Sequence, residues 1–199
     1  MGQSPGAAQR YALRLRAHVR PVLAVAAVLA AAVVQLRWQG RRWWCACGRP
    51  DLWWGDTRSA HNSQHLFDPY SFTHVLHGVV FYGLLSRLAP RLSLAWRFWA
   101  AVTLAATWEV IENSDFVIHR YRTVTAMLGY EGDSIANSLG DILSCALGFL
   151  LARRLGLWGS LALFAVTEVV LLLWIHDSLL LEVLMLLWPI KAIKEWQMG

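Results

Sequence analysis

The sequence predicts an all-α protein, a polytopic transmembrane helical bundle of five or six spans. Three observations carry that expectation. Hydrophobic residues make up 57% of the 199 residues and charged residues only 16%, against roughly 25% charged in ordinary globular domains. The apolar residues gather into runs that suit a bilayer core, which takes about 20 residues of helix. Short arginine clusters and tryptophans (Trp38, Trp96, Trp158, Trp174, Trp188) punctuate those runs, as they do at membrane interfaces. Mean hydropathy is +0.41. The net charge of +5 would suit nucleic acid in a soluble protein. Here the cations sit between apolar runs, so the expected partner is the lipid bilayer and not nucleic acid.

The first run covers 21–38 and follows a basic tail at 1–20 that holds Arg10, Arg14, Arg16 and Arg20 and no acid. It is long for a signal-peptide core, and polar residues rather than a small-residue cleavage site follow it. A retained helix is therefore expected. The second run covers 72–88, the third 94–111, the fourth 135–152 and the fifth 157–175. The last apolar stretch, 179–190, contains Glu182 and Pro189 and is short for a span. A tilted sixth span, a re-entrant segment and an interfacial helix all stay open for it. The whole of 21–199 reads as one domain with an outer loop at about 39–70.

Orientation follows from arginines in short loops. The tail, the loop with Arg87, Arg91 and Arg97, and the loop with Arg153 and Arg154 carry nine arginines and no acid. An even number of spans separates them, so they share a side, and their charge assigns them to the cytoplasm. The first opposite loop cuts against this with Arg37, Arg41, Arg42, Arg49 and Arg58. The expectation is a bacterial inner-membrane protein with its N-terminus inside.

Acids and histidines gather at the other ends of the runs. His61, His65, Asp68, His74 and His77 precede or open the second. Glu109, Glu112, Asn113, Asp115 and His119 close the third. Asp133, Asn137 and Asp141 open the fourth, and His176 and Asp177 end the fifth. Alternating topology puts all four groups on one face, opposite the arginine loops. Ionisable groups in a bilayer are costly and face a bundle interior or a cavity. One shared polar cavity facing the periplasm is therefore expected. Helical spacing agrees: His74/His77 and Glu109/Glu112 are i,i+3 pairs, and Asp133, Asn137 and Asp141 form an i,i+4,i+8 stripe.

The same residues carry a resemblance. Cys45-Ala-Cys47-Gly48, Asn62-Ser-Gln64-His65, Tyr70-Ser-Phe72-Thr-His74-Val-Leu-His77-Gly78 and Phe81-Tyr82 belong to it. So do Trp108-Glu109-Val-Ile-Glu112-Asn113, Arg120-Tyr121-Arg122, Gly132-Asp133-Ser134 with Asn137 and Asp141, and Trp196-Gln197. Together, from about Gly40 onward, they resemble an uncharacterised family of small proteobacterial inner-membrane proteins. The resemblance implies a multi-pass membrane protein and no function. The family pattern reads Asp-Asn where this chain has Asp177-Ser178.

The residues themselves point first to a metal site. Imidazole and carboxylate together suit zinc, manganese or iron. His74, His77, Glu109 and Asp141 are the expected ligands of such a divalent metal. Glu112 is the expected general base, with Asp133 and Asn137 beside it. Arg120 and Arg122, with Asn113 and His65, are candidates to hold a lipid phosphate or another lipid-linked substrate, since guanidinium forks suit phosphate. The alternative for the two arginines is pairing with Glu131 or Asp115, or with headgroups. A membrane-embedded, metal-dependent hydrolase or group transferase is the leading reading. A small transporter or proton relay through Glu109, Asp133, Asp141 and Glu168 is the first alternative. A non-catalytic assembly or scaffold protein, with the polar network as helix glue, is the second. Cys45 and Cys47 lack the Cys-x-x-Cys spacing of redox and zinc-ribbon sites, so structural use comes before metal capture. Cys145, inside the fourth run, reads as packing.

Overall fold

The computed structural model describes residues 7–49, 51–127 and 129–199, with side chains from Val19 onward. The tail arginines Arg10, Arg14 and Arg16 lie outside the described side chains. Among the described residues the chain is all-helical, with seven helices and no extended strand. They are α1 (Ala7–Trp38), α2 (Ser71–Leu88), α3 (Leu94–Glu112), α4 (Asp115–Val124), α5 (Ile135–Ile175), α6 (Leu179–Leu187) and α7 (Lys191–Met198). One isolated bridge joins Trp53 to Phe67 in the loop between α1 and α2.

Two helices are long and apolar enough to cross a membrane, α1 over Val19–Trp38 and α5. The sequence led to an expectation of five or six spans, and only these two pass on length and hydropathy. The helices α2 and α3, with 18 and 19 residues, have the length. The histidines and glutamates they bring to the polar end dilute their apolar character.

α5 is one run of 41 residues broken at Gly156, whose backbone (φ 66°, ψ −170°) leaves helical space. A side chain there would be strained, and glycine is not. The break reverses the chain. Ser71 Oγ donates to Asp141 Oδ1 at 2.7 Å, and the adjacent Tyr70 Oη donates to Asp177 Oδ2 at 3.4 Å. On a straight helix those two aspartates would stand about 54 Å apart at 1.5 Å per residue. The halves, 135–155 and 157–175, therefore form a hairpin, and they coincide with the fourth and fifth apolar runs.

The last stretch forms no sixth span. α6 has nine residues, about 14 Å of helix, well short of a core of about 30 Å. It stops before Pro189, and α7 follows as a separate short helix.

The tightest interface is α2 against the first half of α5. A Cβ on Gly78 would lie 1.9 Å from the Cys145 carbonyl oxygen, and one on Gly148 would lie 1.9 Å from the Val75 carbonyl oxygen. The two glycines thus let the backbones touch reciprocally, the small-residue packing typical of membrane helices. Next to it lies a core of Ala32, Val102, Ala105, Ala106, Ile142 and Cys145, where α1, α3 and α5 meet. A smaller core joins α4 to Tyr130, with Met127 and Leu186 packed against it. Outside these cores the apolar surface points outward. Only 17% of the apolar window of α1 and 11% of that of α5 is buried. Leu23, Val34, Leu157 and Leu173 are all exposed.

Candidate functional site

The chain ends of α2, α3 and α5 converge at the end of the bundle that carries the 39–70 loop. His74 on α2 sits between two acids. Its Nδ1 lies 3.4 Å from Glu109 Oε1 of α3, and its Nε2 lies 4.0 Å from Asp141 Oδ2 of α5. Glu109 is fully buried, at 0% exposure. One helical turn along, Glu112 brings its carboxylate to the same point. Ligand atoms of His74, Glu109 and Glu112 all lie within 4.8 Å of one another. Four of their atoms, His74 Nδ1, both Glu109 oxygens and Glu112 Oε2, are buried with no hydrogen-bond partner. Buried polar atoms in native structures are almost always paired, and these four are exceptions.

Beside it lies a cavity of about 100 Å³ lined by Tyr70, His74, His77, Glu112, Tyr130 and Asp133, among others. That is room for several waters or a small group. His77 stands edge-on to His74 at 5.2 Å and stacks on Phe81 at 5.9 Å. Asp133, just before α5, is held in place. The Asn113 amide donates to its Oδ2 at 2.8 Å, and Tyr130 Oη donates to its Oδ1 at 2.8 Å. Its own backbone N–H donates to Asn113 Oδ1 at 2.7 Å. Burial pushes its carboxyl up to about 6 against those hydrogen bonds, near the range in which a group passes protons at neutral pH. Asp68 is pushed up to about 6 by burial as well, although backbone N–H groups of Tyr70, Ser63 and Ser71 hold it down. Asn137 reaches Asp68 Oδ2 at 3.4 Å.

α6 covers the cavity with Leu179, Val183 and Leu186, and Glu182 lines it too. Both ends of α6 are tied. Glu168, buried on the returning half of α5, accepts from the N–H groups of Leu179 and Leu180 at 3.0 and 3.2 Å. An anion at a helix N-terminus is favourable. At the other end, Arg120 forks Nε and a terminal nitrogen onto the Leu186 carbonyl, at 3.0 and 2.8 Å.

Among the expected ligands, His74 and Glu109 meet directly, Asp141 stands on the other imidazole nitrogen, and His77 lines the cavity beside them. Glu112 joins the ligand cluster, and Asn113 acts as the support of Asp133. Asn137 supports Asp68 rather than facing the cavity. Arg120 and Arg122 are spent on carbonyls, Leu186 for one and Tyr130 for the other, and neither lines the cavity. His65 stands in the outer loop with Cys45, Cys47 and His61, a second set whose ligand atoms lie within 4.8 Å of one another. Sequence reading passed over Tyr121, Tyr130 and Trp108 as cavity walls, and it did not join the two cysteines to the two histidines. The available signal was spacing: Cys-x-Cys and His-x-x-x-His lie within one loop.

A family model described as "Protein of unknown function (DUF2585)" matches residues 36–199. A UPF0314 protein of Paracoccus denitrificans is 48% identical over 177 residues, covering 89% of this chain and 92% of that protein. A UPF0314 protein of Sphingopyxis alaskensis is 43% identical over 177 residues, covering 89% and 94%. One from Rhizobium meliloti is 44% identical over 178 residues, covering 89% and 90%. No solved structure matches. The motifs that led the sequence reading to an uncharacterised proteobacterial family lie within these matches, and the chain belongs to that family of unknown function, DUF2585.

Proposed function

We propose that this chain is a multi-pass inner-membrane enzyme that holds a divalent metal at His74, Glu109 and Glu112. In this reading it hydrolyses, or transfers a group from, a lipid or lipid-linked substrate at the periplasmic face. The observation that carries the proposal is the convergence of ligand atoms of three side chains, four of whose buried atoms make no hydrogen bond. One nitrogen and two carboxylates suit zinc, manganese or iron. Such an ion lowers the pKa of a bound water to about 7 and makes it a nucleophile at neutral pH. Asp133, fixed by Asn113 and Tyr130 and facing the cavity, is the group placed to take the proton of that water. Tyr130 and Tyr70 line the same cavity, their hydroxyls donated to Asp133 and Asp177. Glu112 shifts from the expected base to a ligand, because it shares the point where His74 and Glu109 meet.

The membrane part rests on the outward apolar faces. A core helix of a soluble protein buries most of its apolar window, and these two bury 17% and 11%. Soluble monomers rarely expose apolar patches beyond a few hundred Å². The arginine loops at 87–97 and 153–154 stand at the far end from the site, and the positive-inside rule puts that end in the cytoplasm.

The test is metal content followed by chemistry. The full chain is purified in mild detergent without a metal-binding tag, and bound metals are counted beside His74→Ala and Glu109→Gln. Vesicles of bacterial inner-membrane lipid are then incubated with each, and lipid products are read by mass spectrometry. The expected result is about one metal fewer per chain in each variant than in the wild type, and a product formed by the wild type and lost in both. A folded wild type without metal at this cluster, or product formation that survives both substitutions, overturns the proposal.

A further inference from the structure

The 39–70 loop is long, and α1 ends before it while α2 begins after it. Segments beyond about 12–15 residues without secondary structure are uncommon unless something holds them. Here two cysteines and two histidines meet inside the loop. Cys45 Sγ lies 3.2 Å from His61 Nδ1, and Cys47 Sγ lies 4.0 Å from His65 Nε2. All three cysteines of the chain are free thiols.

We propose that the outer loop is closed by a structural zinc ion held by Cys45 Sγ, Cys47 Sγ, His61 Nδ1 and His65 Nε2. Two thiolates and two imidazoles are a tetrahedral zinc set, and four protein ligands leave no open position. The His-x-x-x-His spacing is one that zinc sites use. The tighter Cys-x-Cys is accommodated by a turn: Gly48 N donates to the Cys45 carbonyl at 3.2 Å, and Gly48 adopts φ +71°. The Cys47 N–H points at Cys45 Sγ, 3.4 Å away.

The surroundings orient the ligands. The Asp51 carbonyl oxygen lies 3.2 Å from His65 Nδ1. A carbonyl only accepts, so Nδ1 carries the proton and Nε2 is left for the metal. Zinc-bound histidines typically make such an outer hydrogen bond. The Trp54 ring packs on both imidazoles, at 4.4 Å from His61 and 5.3 Å from His65. Trp54 itself is fixed by its indole N–H to Ser59 Oγ at 2.8 Å and by its backbone N–H to the Phe67 carbonyl at 3.0 Å. The two imidazoles thus pack on Trp54 while Cys47 stays exposed, and the inference does not depend on the enzymatic proposal.

The residues between the two histidines dock the loop onto the bundle. Ser134 N donates to the Ser63 carbonyl at 2.9 Å, Ser134 Oγ donates to the Gln64 carbonyl at 3.1 Å, and Gln64 donates to the Gly132 carbonyl at 2.8 Å. A clasp at 61 and 65 therefore fixes the segment that seats the start of α5. On binding, both thiols release their protons and the metal replaces them.

The test replaces zinc with cobalt in the purified full chain, in detergent and under reducing conditions. Cobalt in a two-thiolate tetrahedral site gives a sulfur-to-metal charge-transfer band and strong visible ligand-field bands. The inner cluster has no sulfur, so it cannot produce the first of these. The expected result is about one zinc displaced from this site per chain, a thiolate charge-transfer band, and loss of that band in Cys45→Ser/Cys47→Ser while His74→Ala keeps it. A folded, cobalt-loaded wild type without a thiolate band overturns the inference, whatever the variants do. So does a band that survives the double substitution, or a Cys45–Cys47 disulfide found by mass spectrometry in protein as isolated. Helical content by circular dichroism is read on every sample, so a misfolded variant is not mistaken for one that lost its metal.

Discussion

Two clusters of ligand-type side chains stand at the same end of this molecule, and they differ in ligand chemistry, ligand number and support. The inner one, His74, Glu109 and Glu112, is hard, three-membered and beside a cavity of about 100 Å³. The outer one, Cys45, Cys47, His61 and His65, is soft, four-membered and packed on Trp54, with Cys45, Cys47 and His61 on the wall of a wider cavity of about 660 Å³. A set that leaves a coordination position open next to room for water suits chemistry, and a set that fills four positions suits structure. Their supports differ in the same way. Rigid helices carry the inner ligands, and a loop carries the outer ones. The inner cluster needs the bundle to exist, whereas the outer cluster helps the loop to exist.

The strongest way to break that comparison is to part the helices. Gly148→Leu drives a side chain into the Val75 carbonyl, 1.9 Å from where its Cβ would stand. Overpacking costs about 1–3 kcal/mol where neighbours can yield, and backbone does not yield. Loss of monodisperse protein in detergent is expected, or a melting temperature far below wild type. A variant that melts like the wild type would show that α2 and α5 are not in backbone contact, and the His74–Asp141 approach would lose its basis. Next in size is His74→Ala, which removes a ligand from the inner cluster alone. Inner metal affinity is expected to fall by more than about 100-fold, the upper end of what losing a mere outer partner costs. The outer cobalt–thiolate band should stay. Loss of both together would make the two clusters one cooperative unit.

A smaller effect separates the lid from the cluster beneath it. Glu168→Ala leaves the Leu179 and Leu180 N–H groups without their acceptor. Losing such a cap costs about 0.5–2 kcal/mol. A chelator should then strip the inner metal faster, and the outer zinc at an unchanged rate. Equal acceleration at both would mean that α6 covers neither selectively.

Much of this was legible in the residues, and the reasons are physical. The helices over 72–88, 94–111, 135–152 and 157–175 followed from apolar run lengths. The meeting of His74 with Glu109 and Asp141 followed from alternation, which returns every second helix end to the same side. The roles of Arg120 and Glu168 were not legible. Both bind backbone groups of α6, and a helix terminus advertises its free carbonyls and N–H groups only once its position is known. α6 itself illustrates the limit, since an apolar run of twelve residues fits a tilted span as well as a short covering helix until packing decides. The outer cluster was half visible: the two cysteines stood out as a pair and His61 and His65 only among the acids and histidines before α2, and joining them needs a loop conformation that no periodicity encodes.

The two regions should also part company in their response to pH, in opposite directions. Asp177 opens the turn into α6, where burial pushes its carboxyl from an ordinary 3.8 up to about 7. The folded chain holds that proton and the unfolded chain gives it up earlier. The stabilisation is therefore complete below pH 3.8 and drains away as pH rises toward about 7. The outer clasp runs the other way, because its thiols must shed protons to bind zinc and acid returns them. Raising the pH should loosen α6, seen as lower amide protection factors over 178–187 once base-catalysed intrinsic exchange is divided out, while the cobalt–thiolate band holds. Lowering it should bleach that band while α6 tightens. Asp177→Asn removes the titrating group and keeps an oxygen for the Ser178 N–H, which reaches Oδ1 at 2.9 Å, while its amide nitrogen takes the place of Oδ2 and can donate to the Tyr70 hydroxyl, which lies 3.4 Å from Oδ2. The variant should lose the pH dependence of α6 and leave the acid sensitivity of the band untouched. If α6 protection in the variant still falls with rising pH, the proton belongs to another buried acid at this end, and the lid is governed from within the cavity instead of from its hinge.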